Sequence, residues 1–352
     1  MNGLRAVVVC LVIACTAVVS PGTAPAVTPG WSAPAVPAAA PPVTVSHLAA
    51  RGPGEAWATG YEQAADGLRP MLYRWDGTAW SRDTGFPGAG EPGRLGKVRF
   101  VGKEVWIFHE RRGAGEILRR SAAGWSAVPL PQALWTYQDF TAVAGAAWVV
   151  GEDDTGLKVL RYDGSRWTTQ PVPDGVHYVM GITARTATDA WAWADAGTGT
   201  SGILRWDGTL WRDAKVPLPP DSNVHTILPE PSGRVTIGGS RYVDGAPRTY
   251  LTTWNGHTWR TTYPPLGDTS VEALVRGPDG ALWLPVRSDR AFQSKYARMD
   301  GTRTVFSYGP ERTNAIDVKP RALTRAGVWL LSFGTVEIYG SKPNLMSERL
   351  GG

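Results

Sequence analysis

Cysteine is nearly missing from this chain: Cys10 and Cys15 are the two present, and both fall in the first 26 residues. Residues 6–19 form a small or apolar run behind the single positive charge of Arg5, and Ala24-Pro25-Ala26 supplies the small residues that a leader peptidase reads. The expectation is a signal peptide over residues 1–26. The exported chain would then hold no disulfide, and its stability would rest on its core. Beyond the leader no apolar segment reaches the ~18 residues of a membrane-spanning helix, so no transmembrane span is expected. Val12-Ile13-Ala14-Cys15 resembles a lipobox, which would make Cys15 a lipid anchor. The apolar run continues past it, however, and secretion to the extracellular space is the preferred expectation.

Histidine is scarce too. His47, His109, His177, His225 and His257 stand far apart in sequence, and with no cysteine outside the leader no metal site is expected. There is no Gly-x-Ser-x-Gly elbow, no phosphate-binding loop and no Gly-x-Gly-x-x-Gly opening a helix, so no cofactor and no catalytic residue is assigned. The net charge of +5 is mild for 352 residues, and no run of Lys or Arg marks a nucleic-acid partner. The acidic stretch Glu152-Asp153-Asp154 matches no calcium-loop spacing and reads as a solvated turn.

Tryptophan, by contrast, is abundant at 17 residues, and it recurs. One marker is a strand-like segment carrying Trp57, Trp106, Trp148, Trp191, Trp283 or Trp329, with Thr236 in the same register. The intervals are roughly 40 to 50 residues, the period of a four-stranded propeller blade. The second marker is a turn ending in Trp: Trp75-Asp76-Gly77-Thr78-Ala79-Trp80, with copies at 162–167, 206–211 and 254–259 and degenerate versions at 121–125 and 299–304. Asp-Gly and Asn-Gly favour tight hairpins because these residues tolerate positive φ, and the flanking segments have strand composition. The expected fold is therefore all-β: a seven-bladed β-propeller of four-stranded antiparallel blades.

The last blade comes out short of one strand. Segments 328–332 and 335–339 read as its strands, and residues 340–352 carry neither marker. Gly30-Trp31-Ser32-Ala33-Pro34 resembles the outer strand Gly124-Trp125-Ser126-Ala127-Val128-Pro129 of blade 2. An N-terminal outer strand is thus expected to complete the last blade and close the ring. The propeller would span residues 27–345, with 346–352 as a C-terminal tail.

These repeats resemble the Trp-Asp-Gly-Thr-x-Trp units of secreted bacterial β-propellers, a Kelch-like group. The turn is also similar to the Asp-box of sialidase-like propellers, although here Asp and Gly are adjacent and the leading Ser is absent. The resemblance covers nearly all of residues 30–340 and implies an architecture, not an activity.

Function is expected on loops held by the rigid ring. The b–c connections, read as loops over 60–70, 109–115, 151–157, 194–201, 240–247 and 287–294, vary in sequence and share one face with the d–a connections. Candidate ligand-binding residues there are Tyr61, His109, Arg111, Trp135, Tyr137, Trp193, Tyr242, Arg287 and Arg290, with Phe292 nearby. The expectation is a non-catalytic binding propeller for an extracellular protein or glycan. The alternative is a carbohydrate-active ring: a lectin, a sialidase-like glycoside hydrolase or a polysaccharide lyase. A sialidase-like site would need converging arginines, for which Arg111, Arg112, Arg241, Arg287, Arg290 and Arg312 are available beside Tyr242 and Glu110.

Overall fold

The computed structural model describes residues 30–351 except 112, 196–200 and 268; the expected leader and Cys15 lie outside the described residues. Every element is a strand, arranged as seven antiparallel four-stranded sheets in a ring. In each blade strand a is innermost and d outermost. The seven marker residues all fall on b-strands, from Glu55–Ala64 of blade 1 to Trp329–Ile338 of blade 7.

The b-strand tryptophans fill the spaces between blades. Trp57 of blade 1 is fully buried among Leu95, Val98 and Ile107 of blade 2, and Trp191 of blade 4 packs with Val224, Ile227 and Ile237 of blade 5. Repetition of a large buried ring at the same register is thus a packing requirement.

The second marker works through its side chains. Trp75 and Trp80 face each other across the c–d hairpin with ring centroids 5.6 Å apart, and Trp206–Trp211 and Trp254–Trp259 repeat the arrangement at 5.8 and 5.4 Å. The loop between each pair is four residues long, not the two that the Asp-Gly dipeptide suggests. It is held by the first residue: Asp76 Oδ1 accepts from the Thr78 amide at 2.8 Å, the Thr78 hydroxyl at 2.7 Å and the Ala79 amide at 2.9 Å. Asp163 and Asp207 do the same. This accounts for Ser or Thr two residues after Asp in these turns: its hydroxyl supplies the third donor.

These bonds favour the ionised carboxylate. The Ala79 amide, followed by the Thr78 hydroxyl and amide, lowers Asp76 from 3.8 to about 2, and Asp163 and Asp207 are also depressed, by the Arg166 amide and the Arg212 side chain first of all. A depressed acid stabilises the fold above its unfolded value and loses that contribution as pH falls through the folded one. Melting temperature should therefore drop between about pH 4 and pH 2. Asp76→Asn should flatten that slope, because Asn255 already holds the equivalent turn of blade 5 with a neutral side chain through the His257 and Thr258 amides. Thermal unfolding from pH 5 to pH 2 measures it; an unchanged slope in the variant would remove the turn from the acid response.

Blade 7 closes the ring as expected at its N-terminal side and differently at its C-terminal side. Trp31–Ser32 pairs with the strand Asn344–Leu350, Trp31 opposite Leu350 and Ser32 opposite Arg349. Residues 346–350 thus belong to the third strand of the blade, Asn344–Leu350, and are not a tail, and Trp329–Ile338 forms one continuous strand rather than two. Gly334 does not turn the chain there. A Cβ at Gly334 would lie 2.1 Å from the Lys319 carbonyl, so it marks a close approach of neighbouring strands.

Candidate functional site

The b–c and d–a connections do share one face, but most of the b–c connections are shorter than the loops read from the sequence. In blades 1, 2, 3 and 5 the b and c strands run on as hairpins closed by only two residues, as at Ala64–Gly67 and Val243–Ala246. The longer crossings are d–a connections, above all 83–93 and 263–274.

Blade 6 departs most from the repeat. Its innermost strand is two residues, Val275–Arg276, whereas the other six have eight to twelve. The preceding Pro264-Pro265-Leu266-Gly267 stretch has turn chemistry and gives the chain no ladder to continue. Its b–c connection, 287–294, stays open. Together these leave a cavity of about 820 Å³ between blades 6 and 7, lined by Arg287, Asp289 and Arg290, by Asp317, Lys319 and Arg321 of the innermost strand of blade 7, and by Glu272, Ile316 and Glu337. A neighbouring cavity of about 380 Å³ shares Glu272, Asp317, Lys319, Arg321 and Glu337 and extends toward blade 1.

Charges of both signs line this mouth, and most are matched. Arg321 donates to both oxygens of Glu272 at 3.2 Å, and Lys319 pairs with Asp317. Asp289 accepts from the Tyr308 hydroxyl at 2.8 Å and meets Lys295 at 3.3 Å, contacts that lower its carboxyl below the ordinary range. Arg290 lies 3.9 Å over the Tyr308 ring, with Nη1 donating to Gln293. Phe292 and Ile316 add exposed apolar surface.

The residues singled out in the sequence are scattered around this face. Arg287 and Arg290 line the large cavity. Tyr61 and Tyr137 meet in a smaller one of about 260 Å³ between blades 1, 2 and 3, alongside Arg94, Lys97 and Glu110. Tyr137 itself is nearly buried and accepts the Leu134 amide. Trp135 and Tyr242 are 73% and 63% exposed and line none of these cavities.

His109 is not a surface residue. It is fully buried, its Nδ1 is 2.9 Å from Glu116, and Phe86 packs edge-on against its ring. Burial lowers its pKa despite the neighbouring carboxylate. Arg111 is engaged by Glu91 and Glu116. Trp193 is 8% exposed and reaches the central channel by lying across Gly181 of the innermost strand, where a Cβ would sit 2.0 Å from the indole.

The arginines do not assemble a triad. Arg111 sits on blade 2 and Arg241 on blade 5, Arg312 is bound to buried Glu348, and Arg112 lies outside the described residues. Sequence reading missed Glu272, Asp317, Lys319, Arg321 and Glu337. Asp317, Lys319 and Arg321 alternate along one strand, a signal available from period alone, but Glu272, the partner of Arg321, lies at another blade.

No family model matches this sequence, and neither does any curated protein. Solved structures do match in fold. A virginiamycin B lyase from Staphylococcus aureus, in a catalytically inactive form with quinupristin, is 12% identical over 92% of this chain and 100% of its own, with a TM-score of 0.61. YCF48 from Cyanidioschyzon merolae is 13% identical over 90% of this chain and 98% of its own, at 0.55. The β-propeller domain of the trilobed protease from Pyrococcus furiosus, described as having an open velcro topology, is 9% identical over 89% and 95%, also at 0.55. At such identities the likeness is one of architecture, and the neighbours include both enzymes and other proteins.

Proposed function

We propose that this chain is an exported, non-catalytic binding propeller that recognises an extracellular protein or glycan through the loop-face mouth between blades 6 and 7. The observation that carries this reading is the 820 Å³ cavity where the most irregular blade loses its inner strand. A regular ring needs no such opening. Its dense, mixed-sign lining offers hydrogen-bond donors and acceptors from the inner strand of blade 7 and from the connections of blade 6, which suits recognition of a polar partner. The carboxylates support binding over hydrolysis: Asp317 and Glu272 are each already engaged by a cation, Lys319 and Arg321.

The test is a binding screen of the purified protein against cell-wall glycans, secreted polysaccharides and culture-supernatant proteins. The double variant Arg287→Glu/Arg290→Glu should weaken a hit about tenfold or more, roughly 1.4 kcal/mol. Arg212→Glu, on the c–d hairpin of blade 4 at the opposite face, should leave it unchanged. The reverse pattern would place recognition on the other face. Intact mass of the exported protein separates cleavage after Ala26 from a lipidated Cys15.

A further inference from the structure

The ring encloses a channel of about 590 Å³ lined by all seven innermost strands. Five charged side chains line it: Lys97 and Arg99 of blade 2, Asp139 of blade 3, Glu272 at blade 6 and Arg321 of blade 7. His47 of blade 1 and His225 of blade 5 join them. Two cations have acids. Lys97 pairs with Asp139 at 2.5 Å, and that carboxylate also accepts the Ile182 amide at 2.8 Å. Arg321 pairs with Glu272.

Arg99 has none among the described residues. Its Nε donates to the Thr141 hydroxyl at 3.3 Å, and its Nη1 lies 2.8 Å from His47 Nε2. Both partners are neutral. A guanidinium is protonated at any ordinary pH, so His47 Nε2 must accept, and its proton sits on Nδ1. That Nδ1 is buried and has no partner among the described residues. Burial first, then Arg99 and Lys97, lowers the pKa of His47, consistent with the neutral ring. His225 is engaged by Ser240 at 2.8 Å and contributes no acid.

Among the described residues, the one acid that bears on Arg99 is Asp139, and Lys97 already holds it. Lys97, Arg99 and Asp139 together keep one positive charge in excess, a half-buried cation whose free-energy cost an anion would recover. Arg99 Nη2 makes no hydrogen bond among the described residues, so the outer fork of the guanidinium is open to the channel, the geometry that receives a planar or tetrahedral oxyanion. Across the channel Trp193 presents its indole 5.7 Å from Lys97 Nζ, which confines the space beside the pair.

The geometry points to an oxyanion site in the channel at Arg99, taking the carboxylate, phosphate or sulfate group of a molecule narrow enough to enter. The channel shares Glu272 and Arg321 with the cavity between blades 6 and 7, but Arg99, on blade 2, lines the channel and not that cavity, so the site goes beyond recognition at that mouth. One unmatched positive charge fits one anionic group, so the stoichiometry is one per chain. Neither Lys97 nor Arg321 substitutes for Arg99, because each is already neutralised.

Calorimetric titration of the purified protein with acetate, inorganic phosphate and sulfate tests this and separates carboxylate from phosphate or sulfate ligands. A saturable single site for at least one of them is expected. Arg99→Gln should weaken it at least ~10-fold, and Arg99→Lys should weaken it less. Arg99→Gln should melt no lower than wild type, because it removes an unmatched charge and keeps a donor for His47, so lost binding cannot be ascribed to unfolding. The Arg287→Glu/Arg290→Glu variant should retain the anion site, which keeps this outcome independent of the recognition reading. No saturable binding of any of the three anions, or equal affinity in Arg99→Gln, overturns the proposal.

Discussion

Trp31→Ala should destabilise the whole ring by about 3 kcal/mol, the lower end of core aromatic truncations, and lower the melting temperature by roughly 5 °C. Its strand is only two residues long, so the effect must come from the side chain. The indole stacks on Tyr296 of blade 6 at 3.9 Å with an interplanar angle of 17°, meets Trp283 edge-on at 6.4 Å, and donates its Nε1 proton to Ser307 Oγ at 3.0 Å. Trp31→Phe should keep most of the stacking, lose the hydrogen bond and cost about 1 kcal/mol. Deleting residues 30–40 should cost more than Trp31→Ala. It also removes the pairing to Asn344–Leu350, the Pro37 carbonyl that accepts from Tyr73, and the Ala40 amide that donates to Glu62 at 2.6 Å. The free edge of blade 7 would then be open to pairing with other chains. Urea and thermal unfolding of the three variants measure the ranking, and a deletion that melts with wild type would show that the ring closes without this strand.

The ring is legible in the sequence because its markers act locally. A Trp that must fill the space between blades and an Asp that must hold a four-residue turn impose residue types at fixed positions, so they recur with the blade. The elements that mislead are those whose constraints come from elsewhere. Asn344–Leu350 carries no turn marker and contains Glu348, a charge that looks like surface; it is buried because its partners arrive from blade 6. The b–c hairpins look like loops because their ends are polar, as in Glu62-Gln63 and Glu152-Asp153, although the strand pairing continues through them. His109 resembles a surface residue through its neighbours Glu110 and Arg111. Counting across the two-residue turn places it opposite Glu116, a structural pair. The large cavity depends on an innermost strand that fails to form, and the proline-rich stretch before it hints at that failure without showing which side chains of blade 7 are uncovered. Lys97 and Arg99 stand two apart on an innermost strand, and period alone puts both on one face, in the channel.

Arg312→Ala should cost about 3–5 kcal/mol, because it strands a buried carboxylate. Glu348 has no exposed surface; it accepts from Ser294 Oγ at 2.5 Å, Tyr296 OH at 2.6 Å and Arg312 Nη1 at 2.5 Å. Ser294 and Tyr296 belong to blade 6, Arg312 to the connection between blades, and Glu348 to blade 7, so the cluster bolts one blade to the next. Burial and the adjacent Glu348 push the Tyr296 hydroxyl well above its ordinary value, which keeps it a donor. Replacing both ends, as in Arg312→Met/Glu348→Met, should cost less than Arg312→Ala alone, since no unpaired charge remains. Chemical denaturation of the variants measures this, and an Arg312→Ala cost under about 1 kcal/mol would show that water solvates the carboxylate. Tyr296 carries both halves of the closure: its ring receives Trp31 and its hydroxyl donates to Glu348. Trp31→Ala and Arg312→Ala therefore loosen the same contact between blades 6 and 7. Combined, they should cost less than the sum of the single effects by at least about 0.5 kcal/mol, the threshold above which residues in one network are coupled. Strict additivity would mean that the outer-strand latch and the buried ion cluster hold the ring independently.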